Sequence, residues 1–232
     1  MRNTVPCDLS VVIASLNAAR TIAGTLDCLS EAASAMSTET VVADGGSSDG
    51  TAALAEKAGA ALVAAPKGRG RQLAAGAKAA RGRWLLFLHA DTKLEPYWAA
   101  TAATFMSVRS NQLRAGYFKL ALDDPAPAAR RIERLANWRA RTFGLPYGDQ
   151  GLLISRTLYD SLGGFSELPL MEDVDMVRRI GKQRLIELPA TATTSSARYK
   201  QGGYTLRPLR NLSLLGLYFL GVPPRHLVKF YG

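Results

Sequence analysis

The chain has 232 residues, with 29 lysines and arginines against 19 aspartates and glutamates, a formal net charge of +10. This length suits one large domain, and an apolar fraction of 47% with 21% charged residues excludes a disordered, collagen-like or low-complexity chain. Cys7 and Cys28 have neither CxxC nor zinc-site spacing and read as buried thiols of a reducing compartment. Met1 to Asp8 is polar and lacks the apolar centre of a signal peptide. The apolar run Leu212 to Val222 is too short to span a bilayer.

Leu9 to Ala14 (LSVVIA) is short, apolar and β-branched, which predicts a buried strand. A helix is expected over Thr21 to Met36, with Ile22, Leu26, Leu29 and Ala33 at helical spacing. Strand Thr40 to Ala43 follows, ended by Asp44-Gly45-Gly46-Ser47-Ser48-Asp49-Gly50; Ser48 or Asp49 can then cap a helix over Thr51 to Ala58. Ala61 to Ala65 reads as strand, Arg71 to Ala80 as helix, Trp84 to Leu88 (WLLFL) as strand, and Pro96 as the opening of a further helix. Four β-α pairs in succession imply an α/β fold with a helix-covered parallel sheet of nucleotide-binding type. Beyond them the pattern predicts strand Ala115 to Leu122, a basic helix Ala128 to Thr142, strand Gly151 to Ser155, helix Asp173 to Ile180 and strand Leu185 to Leu188. From Pro189 the chain reads as loop, then as helix around Leu206 to Leu220.

Ligands of open parallel sheets bind outside the carboxyl ends of the strands. Four polar loops fall there: Ser15-Leu16-Asn17, Asp44 to Gly50, Lys67 to Gln72, and His89-Ala90-Asp91. No GxGxxG turn follows the first strand and there is no GxxxxGK[ST] loop, which argues against NAD, FAD and P-loop ATP chemistry. Asp44, at the end of a strand, can accept hydrogen bonds from a base or ribose, or simply hold a tight turn. Asp91 offers a hard oxygen for Mg²⁺ or Mn²⁺ held against a diphosphate, or a helix cap. Lys67, Arg69 and Arg71 can neutralise phosphate, or be a solvated basic loop. Glu172-Asp173 at a helix start suits the helix dipole, or supplies a general base for an attacking hydroxyl.

Taken together, VVIASLN, VVADGGSSDGT, GRGRQLAAGAKAARG, LLFLHADT, YDSLGGFSE and MEDVDMVRR resemble glycosyltransferase family 2 over about residues 8 to 190. Arg69-Gly70-Arg71-Gln72 and Gly148-Asp149-Gln150-Gly151 are further similar to a short bacterial branch linked to arsenosugar biosynthesis and radical-SAM genes. The resemblance implies a GT-A fold, a nucleotide-diphosphate sugar as donor, a divalent metal (Mg²⁺ or Mn²⁺) and transfer with inversion at the anomeric carbon. It places Ser15 and Asn17 beside the donor nucleotide, Asp44 on the base, Arg71 near the basic position that helps hold it, and Asp91 at the last acid of the DXD metal motif, whose first acid is here His89. It makes Asp173 the catalytic base, with Glu172 its neighbour. The Gln-x-x-Arg-Trp motif of processive members is missing after Asp173, so transfer of a single sugar is expected. On the acceptor side, Asp149 and Gln150 can hydrogen-bond sugar hydroxyls or fix their loop.

Two rivals of other classes are set against this. A basic nucleic-acid-binding protein would explain the charge, but no helix-turn-helix, zinc or RNA-recognition signature occurs; no nucleic-acid partner is expected. A nucleotidyltransferase would carry a Gly-rich basic loop after the first strand, where Ser15-Leu16-Asn17-Ala18 stands. The expected organisation is a GT-A domain over residues 1–190 and a basic helical extension over 191–232 packed on it. That tail has no acidic residue after Glu187 and carries apolar positions at helical spacing. It is read as core packing, as peripheral attachment to anionic lipid at the inner face of the membrane of a cytoplasmic enzyme, or as a homodimer contact. In related enzymes such a tail closes the donor site, which would make Arg198, Tyr199 and Lys200 phosphate contacts.

Overall fold

In the computed structural model, which describes residues 7–230, the run LSVVIAS forms strand β1 (Leu9–Ser15), buried along nearly its whole length. Its neighbours follow in chain order: helices α1 (Ile22–Asp27) and α2 (Ala32–Ala35), β2 (Thr38–Asp44), α3 (Thr51–Lys57), β3 (Ala61–Ala64), α4 (Arg69–Ala79) and β4 (Trp84–His89). Then come β5 (Thr92–Leu94), α5 (Trp98–Ser107), β6 (Ala115–Leu122), α6 (Pro127–Phe143), β7 (Leu152–Ser155), α7 (Arg156–Ser161), α8 (Glu172–Ile180) and β8 (Leu185–Thr194). Short helices α9 (Ala197–Gly202) and α11 (Pro224–Leu227) flank α10 (Leu206–Phe219). The expectation about Met1 to Asp8 rests mainly on residues 1–6, which lie outside the described part.

The strands make one eight-stranded sheet in the order β3-β2-β1-β4-β7-β6-β8-β5. β3, β2, β1 and β4 are parallel; β7 runs antiparallel between β4 and β6, and β5 runs antiparallel on β8. The sheet is therefore mostly parallel, as expected, with two reversed strands. Apolar side chains alternate between its two faces. Ile13, Leu86, Leu88 and Trp98 belong to one core layer, and Val12, Leu85, Phe87 and Met176 to the other.

Three expectations are corrected. The helix over Thr21 to Met36 is broken after Asp27, because the Cys28 carbonyl accepts the Trp98 indole N–H at 2.9 Å and the Asp27 carbonyl accepts the Ser30 hydroxyl at 2.8 Å. The Glu31 carboxylate beyond the break accepts the N–H groups of Tyr97 and Ala99, both at 3.3 Å, and so serves the start of α5. Second, β8 does not stop at Leu188. It continues through Pro189 and the 190/191 boundary to Thr194, because the pairing with β6 shifts between Tyr117↔Glu187 and Lys119↔Thr191 and the irregularity admits a residue without an N–H. Third, Cys7 and Cys28 are half-buried, each thiol donating to a carbonyl.

The tail packs on the sheet domain through α10. Leu214 and Leu215 join Leu170, Met171, Val174 and Leu227 in a small core against α8. Among the described residues no helix is long and apolar enough to cross a membrane.

Candidate active site

Parallel pairing brings Ser15 and Asp44 side by side at the ends of β1 and β2. The Ser15 hydroxyl donates to Asp44 Oδ1 at 3.0 Å, and Asp44 also accepts the Ser47 hydroxyl and the N–H groups of Gly46 and Ser47. These bonds hold its carboxyl below the usual carboxylate range against the opposing effect of burial. Asn17 adopts a left-handed backbone (φ 50°), and its side-chain oxygen accepts the Ser48 N–H at 3.0 Å. Underneath, Gln72 is buried, its amide donating to the carbonyls of Ser15 and Ala43. Asp49 accepts the N–H of Ala19 from the first loop and that of Thr51; the expected cap is corrected, since Gly50 occupies the N-cap position of α3 and no side chain caps it. The two loops are thus fastened together, with Asn17 exposed at their rim.

The end of β4 faces a different space. A cavity of about 610 Å³ is bounded by His89, Asp91, Asp149, Asp173 and Arg69 on the sheet side and by α6, α9 and α10 on the other. Asp173 is fixed at the start of α8, its Oδ2 accepting the Gly148 N–H at 2.9 Å and its Oδ1 the Val174 N–H at 2.8 Å. Asp91 accepts the Thr194 hydroxyl from β8 at 3.4 Å. Asp149 has a buried oxygen without a protein partner, and burial pushes its carboxyl up to about 6; Arg139 opposes the rise while Asp173 and Asp91 add to it. Three carboxylates therefore share one field, in the company of arginines.

His89 has its Nε2 buried and unpartnered. Burial, then the positive charges of Arg69 and Arg198, hold its pKa well below the usual imidazole value, so it is neutral. A neutral imidazole and the Asp91 carboxylate are donors that suit a divalent cation. Among the described residues no cluster of three or more His, Cys, Asp or Glu could enclose an ion. The donor set fits an ion that takes its remaining ligands from a diphosphate. Gly148 limits the room at His89, since a Cβ there would lie 2.5 Å from Nε2; Asp91 is the more accessible donor.

Other expected residues divide. Glu172 is buried beneath this space and pairs with Arg69 at 3.4 Å, and burial with the neighbouring Asp173 raises its carboxyl. It orients Arg69 and does not line the large cavity. Gln150 is corrected: its side chain is fully buried, the amide donating to the Phe118 carbonyl at 3.1 Å, so it fixes the loop and faces no acceptor. Arg71 is exposed and pairs with Glu167 at 3.5 Å, outside the cavity. In the tail, Arg198 and Tyr199 reach the cavity, whereas Lys200 pairs with Asp124 at 3.3 Å. Sequence reading did not single out Arg139, which stacks over the Tyr147 ring at 3.3 Å and leaves a buried Nη2 facing no protein acceptor. It sits in the basic helix noticed from sequence, but its separation from the other arginines there depends on the turn back at Leu145.

The family model for glycosyl transferase family 2 matches residues 10–144, more than half of the chain. The chain belongs to that family. It is a glycosyltransferase with a GT-A fold, and the matched segment carries the β1, β2 and β4 loops but ends before Gly148 and Asp173. No curated protein sequence matches the chain. Among solved structures it is similar to the glucosyl-3-phosphoglycerate synthase of Mycobacterium tuberculosis in complex with Mn²⁺, UDP and glucosyl-3-phosphoglycerate, at 20% identity and TM-score 0.59, covering 89% of this chain and 78% of that one. The mannosyltransferase PcManGT from Pyrobaculum calidifontis, in complex with GDP-Man and Mn²⁺, is similar at 18% identity and TM-score 0.62, covering 89% and 61%. S. aureus TarS is similar at 18% identity and TM-score 0.63, covering 96% of this chain but only 42% of TarS. At these identities the likeness is one of fold.

Proposed function

We propose that this glycosyltransferase moves one sugar from a nucleoside-diphosphate sugar to an acceptor hydroxyl, with inversion at the anomeric carbon and assistance from a divalent metal. The observation that carries the reading is the placing of Asp173, oriented by two backbone N–H groups, in the same cavity as Asp91 and several arginines. The donor nucleoside lies at the fastened loops of β1 and β2, with Asp44, Ser15 and Asn17 around the base and ribose.

Asp173 accepts the proton of the acceptor hydroxyl as its oxygen attacks the anomeric carbon from the face opposite the diphosphate. The bond from that carbon to the diphosphate oxygen breaks, and Arg69 and Arg198 receive the charge that develops on the leaving group. Asp91, with His89 beside it, would hold Mg²⁺ or Mn²⁺, which when bound neutralises diphosphate charge. Mn²⁺ in two structural neighbours supports that choice. Glu172 keeps Arg69 in place, and Asp149 lies where it can hydrogen-bond the incoming sugar or acceptor. The missing Gln-x-x-Arg-Trp motif supports a single transfer. The nucleotide-sugar substrate and two free thiols favour a cytoplasmic setting.

Thermal-shift titration with UDP and GDP, each with and without Mn²⁺, tests this reading. One nucleoside diphosphate should raise the Tm, and only with the metal. No shift with either, together with pyrophosphate release from a nucleoside triphosphate and a sugar phosphate, would replace it by nucleotidyl transfer.

A further inference from the structure

The donor loops do not border the 610 Å³ cavity beyond their junction with β4, so most of its wall is left for the acceptor. That wall is apolar. From α6 come Leu135, Trp138 and Phe143, and from α10 come Leu212, Leu215 and Phe219. An acceptor bearing only hydroxyls would leave these side chains against water or against unmatched polar groups. Leu206 and Leu209 of α10 and Leu220 just after it are 74%, 56% and 83% exposed, so beside the packed side at Leu214 and Leu215 the helix shows a second, uncovered apolar stripe. No acidic residue follows Glu187, while the same segment carries Arg198, Arg207, Arg210, Arg225 and Lys229, of which Arg198 and Arg207 line the cavity. A second copy docked here would bring two acid-free basic segments together, which like-charge repulsion opposes. An anionic lipid surface meets both the apolar stripe and the charge.

We propose that the acceptor is a membrane lipid whose hydroxyl-bearing head reaches Asp173 while its hydrocarbon chain lies in the trough between α6 and α10, and that the outward stripe of α10 rests on the anionic leaflet from which it is drawn. The proposal rests on the glycosyltransferase reading, since it names the acceptor of that same site. A hydrocarbon chain fills the trough without requiring hydrogen bonds from its walls. Arg139 and Asn211, whose side chains carry buried polar atoms without a protein partner, stand at the cavity to receive the polar head.

Trp138 gives a direct readout. It is 55% exposed in the trough, whereas Trp84 and Trp98 are 7% and 0% exposed and shielded from lipid. The full chain is mixed with vesicles of phosphatidylcholine and phosphatidylglycerol, with or without brominated acyl chains. Brominated vesicles should quench the tryptophan emission by roughly half relative to unbrominated ones, and pure phosphatidylcholine should quench far less. Trp138→Phe should remove the quenched component. Leu135→Asp and Leu212→Asp, both at exposed positions that tolerate substitution, should abolish quenching while Mn²⁺-dependent nucleoside-diphosphate binding stays unchanged. The proposal is overturned if brominated anionic vesicles do not quench a folded, nucleotide-binding protein. It is equally overturned if quenching survives both trough variants, or if light scattering shows a dimer whose Trp138 is indifferent to vesicles. Loss of nucleotide binding in the unmodified chain would instead count against the glycosyltransferase reading itself.

Discussion

The backbone N–H of Gly148 donates to Oδ2 of Asp173 at 2.9 Å, joining the loop after α6 to the first turn of α8. The same glycine lies against His89, where a Cβ would come within 2.5 Å of Nε2. Gly148 is therefore the residue through which the proposed base and the end of β4 share one geometry. A methyl group there must displace either the imidazole or the loop that orients Asp173. Gly148→Ala should lower kcat on the order of 100-fold, the scale of a misplacement near 1 Å. KM for the donor should change less than kcat, because the β1 and β2 loops and Asp91 are untouched and only His89 beside them can shift. Steady-state kinetics on the folded variant separate the two effects, and an unchanged kcat would remove Gly148 from the positioning of Asp173.

Asp91 is the accessible carboxylate at the end of β4, accepting the Thr194 hydroxyl at 3.4 Å. Asp91→Ala should leave the fold intact and abolish the metal-dependent part of donor binding. Calorimetric titration of the nucleoside diphosphate with and without Mn²⁺ measures that part, and an undiminished metal effect would move the ion elsewhere. Asp173→Asn, by contrast, should retain donor binding and lose transfer. The asparagine keeps the acceptor oxygen for one backbone N–H but cannot take the proton.

Glu172 sets a pH dependence of stability. Burial and the neighbouring Asp173 raise its carboxyl from 4.5 to about 7 in the folded chain, with Arg69 offsetting part of the rise. Between those values the folded state holds a proton that the unfolded state has released, so this group's contribution falls as pH increases through the window. Below 4.5 both states are protonated and the contribution is complete; above 7 both are ionised and the burial of the charge is felt in full. Glu172→Gln should therefore gain stability relative to the unmodified chain as pH is raised from 4.5 to 7, in urea unfolding at a series of pH values. A difference between the two proteins that does not vary with pH would show that the carboxyl titrates normally.

The strands β1, β2, β4 and β6 were legible because each is a short apolar run bounded by polar turns, and β6 has the limits expected from sequence. So were the loops at their ends, since a parallel sheet puts strand-end residues on one rim. What escaped the sequence depends on contacts between distant segments. The break after Asp27 is made by Trp98, some seventy residues away along the chain, and β8 passes Pro189 only because β6 accepts a register shift there. At the site, Asp91 and Asp173 could be chosen by residue type and motif. Gln150 could not be told from an acceptor-binding residue, because its orientation toward Phe118 is set by the turn at Tyr147 and not by spacing. Arg139 was hidden among the other cations of α6 for a similar reason. Its selection depends on the carbonyl of Leu145 and the ring of Tyr147.

Gln72 links the nucleotide-side loops to α4. Its side-chain amide is buried and donates to the carbonyl of Ser15 at 2.5 Å and to that of Ala43 at 3.0 Å, the residues that end β1 and precede Asp44. Both residues belong to the last rungs of the ladder, Ser15 paired with Asp44 and Ala43 with Ala14 and Val63, and Gly45 leaves room for the amide, since a Cβ there would stand 3.0 Å from Nε2. Gln72→Leu keeps approximate volume but removes the side-chain donor from two buried carbonyls, of which that of Ser15 keeps the Gly45 N–H at 2.9 Å, a cost of about 1–3 kcal/mol. Global stability by chemical denaturation should drop by that amount. The consequence for function should be felt in binding before chemistry, because the Ser15–Asp44 pair is seated on these carbonyls and Asp173 is not. Nucleoside-diphosphate affinity should fall while turnover at saturating donor is retained. A stability loss with unchanged affinity would show that Asp44 is held in place by its own loop alone, through Ser47 and Gly46.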